Sequence, residues 1–227
     1  NTEVSGSYSC IRLVYKVGLI YSNIMTKRNI AWQALLLHKK LRGKIRVIPA
    51  VSIKNKADLA LVYTPGVAVV SSVIANPSTR SGQEKLARMY TIKGRMVAVI
   101  SDGSAVLGLG NIGALGALPV MEGKCALFKT FANVDAFPIV LDTTSPRLRS
   151  ASTQEHIDFI VETICAIAPA FGGINLEDFA APNCFEIEER IKARLDIPVM
   201  HDDQHGTAIA VTAALINAAK VVKKQFK

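Results

Sequence analysis

Short apolar runs alternate with amphipathic stretches along this 227-residue chain. Met96–Ile100 (MVAVI), Cys125–Phe128, Asp135–Asp142 (DAFPIVLD), Phe171–Ile174 and Ile197–Met200 have the length and aliphatic character of buried strands. Between and after them the period changes. Glu155–Ala168 places Ile157, Ile160, Val161, Ile164 and Ile167 on one helical face, Cys184–Leu195 is amphipathic, and Thr207–Val222 is Ala-rich with a basic tail. The alternation predicts an α/β fold, a mostly parallel sheet flanked by helices on both faces.

The N-terminal half is less regular. Cys10–Tyr15 and Leu19–Ile24 read as short strands or turns of helix within a stretch, 1–30, to which no role is assigned. Ala31–Leu41 is a packing helix whose His38 and lysines fall late, where the helix dipole favours cations. Ile45–Ile48 reads as extended and stops at Pro49. Tyr63 precedes Thr64-Pro65-Gly66, and a residue before proline is biased away from helix; its ring either caps the core or projects its hydroxyl into a cleft. Residues 76–93 are polar and predict a surface excursion containing a short helix.

One pattern invites a reading that its surroundings oppose. Gly108-Leu109-Gly110-Asn111-Ile112-Gly113 matches the dinucleotide fingerprint, which needs a strand running straight into the first glycine and a long helix leaving the third. Here SDGSAVL intervenes, and Pro119 is expected to stop the following helix early. The glycines are better read as packing helix against sheet.

Composition narrows the class. Half the residues are hydrophobic but only 6% aromatic, which suits packed aliphatic layers. The cysteines, Cys10, Cys125, Cys165 and Cys184, form no CxxC pair, favouring a reducing compartment. Lys and Arg outnumber Asp and Glu by 27 to 18, a net charge of +9 concentrated in Lys27–Arg46 and Lys220–Lys227. No nucleic-acid motif accompanies that charge, and a basic field also attracts small polyanions. No apolar run reaches the roughly 18 residues of a membrane span, and no signal peptide is recognisable.

Candidate chemistry concentrates at two junctions. IPVMHDDQHGT (Ile197–Thr207) ends a strand in Asp202 and Asp203, and FGGINLED (Phe171–Asp178) ends another in Glu177 and Asp178. Ligands of open parallel sheets sit at such carboxyl ends. Four carboxylates there form an all-oxygen set suited to magnesium or manganese. The competing readings are helix N-capping by Asp178 and Asp203, which accounts for one acid per junction, and a zinc hydrolase built on His201 and His205, which lacks the glutamate of HExxH. Lys124 lies between Gly123 and an apolar run; burial there would lower its pKa toward that of a base, or its amine snorkels to solvent.

With these stretches in hand, the chain resembles the malic enzymes, specifically the N-terminal substrate and metal domain of the smaller bacterial-type members, from about His38 to Lys224. The motifs are HKKLRGKI, DLALVYTPGVA, YTIKG, VAVISDGSAVLGLGNIGALGALPVMEGK, LFKTFANVDAFPIVLDT, FGGINLEDFAAPNCFEIEERI and IPVMHDDQHGTAIA. The resemblance implies oxidative decarboxylation of malate to pyruvate and carbon dioxide, with NAD or NADP and magnesium or manganese. It implies Glu177, Asp178 and Asp203 as metal ligands, Lys124 as the general base, Tyr63 as the acid that protonates the enolpyruvate methylene, and Asp202 as a residue tuning the lysine or the metal. It further implies that 31–227 is the substrate and metal domain behind a 1–30 extension, with the nucleotide domain beyond this chain. A cytoplasmic homodimer is expected, with no nucleic-acid or membrane partner. The alternative is a catalytically inactive dimerising or regulatory module. Two departures stand out: Ser104-Ala105-Val106 replaces an arginine that anchors the substrate carboxylate in larger-subunit members, and the loop at Asn76–Met89 is longer than the family leads one to expect.

Overall fold

The structure, a computed structural model, describes residues 30–145, 148 and 150–224. The expected elements at Cys10–Tyr15 and Leu19–Ile24 lie outside those residues. The chain divides into two compact units, Asn1–Arg46 and Val47–Lys227. In the first, α1 (Ile30–Leu41) is the expected helix, with His38, Lys39 and Lys40 in its last turn.

The segment expected to be extended at Ile45–Ile48 forms no strand. An extended stretch needs a neighbour to complete its backbone hydrogen bonds, and this one has none in the sheet. Three helices follow: α2 (Lys56–Val62), α3 (Gly66–Ala75) and α4 (Arg80–Tyr90). Asn55 caps α2 by accepting the Asp58 N–H at 2.9 Å, and Thr79 caps α4 by accepting the Gly82 N–H at 3.2 Å. None of the three has a fully buried residue. Lys56–Ala75 reaches a mean hydropathy of 1.6 over an 18-residue window. The corner at Tyr63–Pro65 breaks it into pieces of 7 and 10 residues. At 1.5 Å per residue these are roughly 11 and 15 Å long, well short of the ~30 Å hydrocarbon core of a bilayer.

The sheet is parallel throughout, in the order β2-β1-β3-β4, from β1 (Met96–Ser101), β2 (Asp135–Val140), β3 (Gly173–Leu176) and β4 (Val199–His201). Pro138, opposite Val99 in β2, is tolerated because β2 is an edge strand and one side of its backbone needs no partner. The two faces follow from the strand period of two. Ala98 and Ile100, Ile174 and Leu176, and Val199 point into one core with Ile157, Ile160, Val161 and Ile164 of α6 (Thr153–Ile167) and Cys184, Ile187 and Ile191 of α7 (Asn183–Arg194). Val99 is buried outside that cluster, as are Ala117, Met121 and Cys125 of α5 (Gly113–Ala132), which packs on β1 and β2. Helices therefore cover both faces. A capping box fixes the start of α6, with the Ser152 side chain and Glu155 satisfying each other's backbone N–H groups.

Three expectations need correction. Pro119 does not end its helix: α5 runs 20 residues through it. Interior proline costs about 3 kcal/mol, offset here by burial of Ala114, Ala117, Met121 and Cys125 along one face. Cys125–Phe128 is consequently helix, and among the described residues the sheet has four strands. The last helix, α8 (Asp202–Val221), begins at Asp202 and not at Thr207, with no residues between it and β4.

Candidate functional site

The parity that builds the core also builds the site. Ile174 and Leu176 face α6 and α7, so Asn175 and the next residue beyond β3, Glu177, turn toward the α5 side. Both are buried, and Asn175 Nδ2 donates to Glu177 Oε2 at 2.9 Å. From α5, Lys124 extends its amine to Glu177 Oε1 at 3.0 Å and to Asp202 Oδ2 at 2.7 Å. One ammonium thus ties the end of β3 to the first turn of α8. Gly206 lies one turn further along α8, and a β-carbon there would stand 2.6 Å from Asp202 Oδ1.

The second acid of each junction meets the other directly. The Asp178 backbone N–H donates to Asp203 Oδ2 at 2.8 Å, and the Asp178 carbonyl accepts the Ala105 N–H at 3.0 Å. Asp178 takes a left-handed backbone, φ 58°, a conformation aspartate tolerates better than most residues. Its Oδ2 is buried without a hydrogen-bond partner among the described residues. The Nε2 of buried His201 lies 3.3 Å from Asp203 Oδ2. Helix capping does not occupy these acids: the residue before α7 is Pro182 and that before α8 is His201, and neither supplies a side-chain cap.

The electrostatics separate the carboxylates. Burial raises the Glu177 pKa, opposed by the bonds from Asn175 and Lys124. Burial and then the Asp203 charge raise that of Asp178. Asp203 is held below the usual range by the His201 ring and the Asp178 N–H, against its own burial. At Lys124, desolvation works against the ammonium, but the bonds to Asp202 and Glu177 outweigh it and the pKa is raised. Of the two readings open for this lysine, a snorkelling amine or a buried one with a lowered pKa, neither describes it: two carboxylates at hydrogen-bond distance hold the ammonium.

Of the residues singled out from sequence, Lys124, Glu177, Asp178, Asp202 and Asp203 form this one cluster. Tyr63 does not join it through any hydrogen bond. It caps the end of α2, 66% exposed, and its hydroxyl bonds to no described residue. The histidines of the competing zinc reading diverge, as the missing HExxH glutamate suggests: His205 Nε2 approaches Glu188 at 2.9 and 3.0 Å, while His201 Nδ1 faces Gln204 Nε2 at 2.9 Å. Among the described residues no three His, Cys, Asp or Glu side chains already surround one point as a metal shell. What suits a cation is chemical: Glu177, Asp178 and Asp203 offer only oxygen donors, and one of those oxygens is buried and unsatisfied.

Sequence reading missed Asn175, Ser104 and Glu188. Ser104 Oγ donates to Asp102 at 2.6 Å and accepts the Ala180 N–H at 2.9 Å, fastening the loop after β1 to the one after β3. Asn175 had a legible signal, an amide inside an otherwise apolar run and two residues before an acid. Glu188 had one too, a carboxylate on the stripe Cys184, Ile187, Ile191 that faces the core.

Comparison with known proteins gives a consistent result. Residues 42–192 match the family model for the malic enzyme N-terminal domain. The chain is 52% identical over 199 residues to the NAD-dependent malic enzyme of Geobacillus stearothermophilus, an alignment covering 88% of this chain and 38% of that protein. It is 50% identical over 184 residues to the NADP-dependent malic enzyme of Escherichia coli, covering 81% and 22% respectively. The crystal structure of the NAD-dependent malic enzyme from Thermotoga maritima superposes with a TM-score of 0.73 at 47% identity, over 85% of this chain and 46% of that one. The chain therefore spans less than half the length of these relatives.

Proposed function

The chain belongs to the malic enzyme family, and on that premise we propose that it is the substrate- and metal-binding part of an enzyme that oxidatively decarboxylates malate to pyruvate with NAD or NADP. The observation that carries this reading is the Lys124 amine held between Glu177 and Asp202, beside the Asp178–Asp203 contact. Glu177, Asp178 and Asp203 would hold magnesium or manganese. Such an ion would supply Lewis acidity toward the substrate oxygen, and a nicotinamide nucleotide would supply the hydride acceptor.

The chain's own residues do the proton work. Lys124 Nζ, after its ammonium has released one proton to solvent, accepts the malate hydroxyl proton. Asp202, 2.7 Å away, orients that amine and stabilises it once protonated. The Tyr63 hydroxyl returns a proton to the methylene carbon from the corner between α2 and α3. A net charge of +9 favours encounter with a dianion such as malate.

We also propose self-association through α2 and α3, where Leu61 and Val69 are 78% and 67% exposed. An apolar surface of this kind marks an interaction site. We place the protein in the cytoplasm, where Cys125, Cys165 and Cys184 would remain the free thiols they are here. That same face favours one other reading, an inactive dimerising module.

Manganese titration followed by electron paramagnetic resonance distinguishes the two. A metal-binding domain takes up the ion and loses it in Asp203→Ala; equal uptake by parent and variant would point to the module. Decarboxylation of oxaloacetate, which needs no hydride acceptor, should depend on manganese in the parent and vanish in Asp203→Ala. A polypeptide limited to these 227 residues is expected to form no NADH or NADPH from malate.

A further inference from the structure

Glu188 lies on α7, outside the cluster just described, yet most of what it touches belongs to the β4–α8 junction. It is buried, at 5% exposure, on the helix face it shares with Cys184, Ile187 and Ile191. An apolar residue would be the ordinary occupant of such a position, because taking a carboxylate out of water costs several kcal/mol unless donors replace the lost solvent. Four donors do so. Oε1 accepts the His201 backbone N–H at 3.0 Å and the Lys192 ammonium at 2.6 Å; Oε2 accepts Gln204 Nε2 at 3.3 Å; His205 Nε2 lies 2.9 and 3.0 Å from the two oxygens.

Three of these four donors come from residues 201, 204 and 205, which bracket Asp202 and Asp203. The first turn of a helix has backbone N–H groups without partners inside the helix, and it frays unless something outside holds it. His201, the residue before α8, makes no side-chain cap. What fixes the last residue of β4 and the far side of the turn is one carboxylate reached from a neighbouring helix. Asp202 is thereby aimed at Lys124, and Asp203 at the Asp178 N–H.

We propose that Glu188 is the positioning residue of the site: it clamps the β4–α8 turn on both sides of Asp202 and Asp203, setting the separation of the carboxylates across which metal and substrate bind. The role rests on the malate-and-metal reading above, but the clamp can be measured independently of it.

Glu188→Leu keeps the volume and suits the apolar face, so thermal stability is expected to hold while the clamp is lost. Two readouts follow the clamp. Manganese affinity should fall roughly tenfold to a hundredfold, as it does when groups that hold metal ligands are removed. Amide hydrogen exchange at Asp178 and His201 should accelerate about tenfold, with no metal present, while Val161 and Ile164 in α6 exchange as before. Glu188→Gln keeps an acceptor for the His201 N–H and should recover most of both losses. If Glu188→Leu does not fold, Gln204→Ala and His205→Ala remove two of the junction's own donors and are expected to move the same readouts in the same direction. Parent-like manganese affinity and parent-like exchange in the folded variants would overturn the proposal. A parent that takes up no manganese would instead sink the functional reading, and the exchange comparison would still decide the clamp.

Discussion

Lys124 donates to Asp202 across 2.7 Å, joining a helix on one side of the sheet to the start of a helix that follows the edge strand β4. The same ammonium is 3.0 Å from Glu177, whose carboxylate is almost wholly buried. Removing the cation leaves two acids facing each other with one already desolvated. Lys124→Met is therefore expected to cost about 2 kcal/mol at neutral pH, below the usual 3–5 for a fully buried pair because amine and Asp202 are partly solvated. In a chain this size that is a fall in Tm of roughly 4–8 °C. Lys124 has a raised pKa in the folded state, so its contribution is complete below the ordinary lysine value and is lost as pH rises through the folded one. Melting curves of parent and variant should converge toward strongly alkaline pH; a constant gap up to pH 11 would contradict the pairing.

Asp178 predicts a trade of stability against function. Its carboxyl is buried, faces the charge of Asp203 and has a raised pKa. A carboxyl whose folded pKa is raised destabilises the fold when ionised, so the burden is absent below the ordinary aspartate range and grows as pH rises through the folded value. Asp178→Asn keeps a side chain suited to φ 58° and removes the repulsion. The variant should melt about 2–4 °C higher at pH 7, equivalent to roughly 1 kcal/mol, with the advantage gone near pH 4 and manganese binding abolished. A lower Tm at pH 7 would mean that the acid is not held at a cost.

How far the sequence disclosed this arrangement depends on which force was in play. The Met96–Ile100 run and the Glu155–Ala168 stripe are visible because each buries one uninterrupted face, and both elements are present. Pro119 misled because its local cost is legible and the compensating burial of Ala117, Met121 and Cys125, spaced four apart, is tertiary. That spacing also marks Cys125–Phe128 as helix, against its strand-like composition. The two acidic junctions were legible as ends of neighbouring strands. That an ammonium would stand between them, its pKa raised by both, follows only from distances across the sheet.

Cys125, next to Lys124 in sequence, shows what burial does to a thiol. It is 2% exposed, and burial with the nearby Glu122 charge pushes its pKa up to about 12. The thiolate is the reactive form, so iodoacetamide at pH 8 should leave Cys125 unmodified until denaturant is added. Peptide mapping reads this residue by residue, and rapid alkylation of the native chain would show that α5 opens more readily than its packing indicates.

The α2–α3 surface makes a separate prediction. A single charge at Val69, 67% exposed, leaves the monomer fold untouched and opposes burial of that face. Val69→Lys is expected to shift sedimentation from dimer to monomer without changing manganese uptake, while an unchanged dimer would move the interface elsewhere.

Gly206 sits on a helix with no fully buried residue, where most positions should accept almost any side chain. At this one, even a methyl group would displace the Asp202 carboxylate and with it the ammonium that bridges two halves of the sheet. In a saturation library of the last helix, position 206 should thus appear as the intolerant site beyond residues 202–205, its constraint imposed by a neighbour four residues back and not by any need of its own backbone.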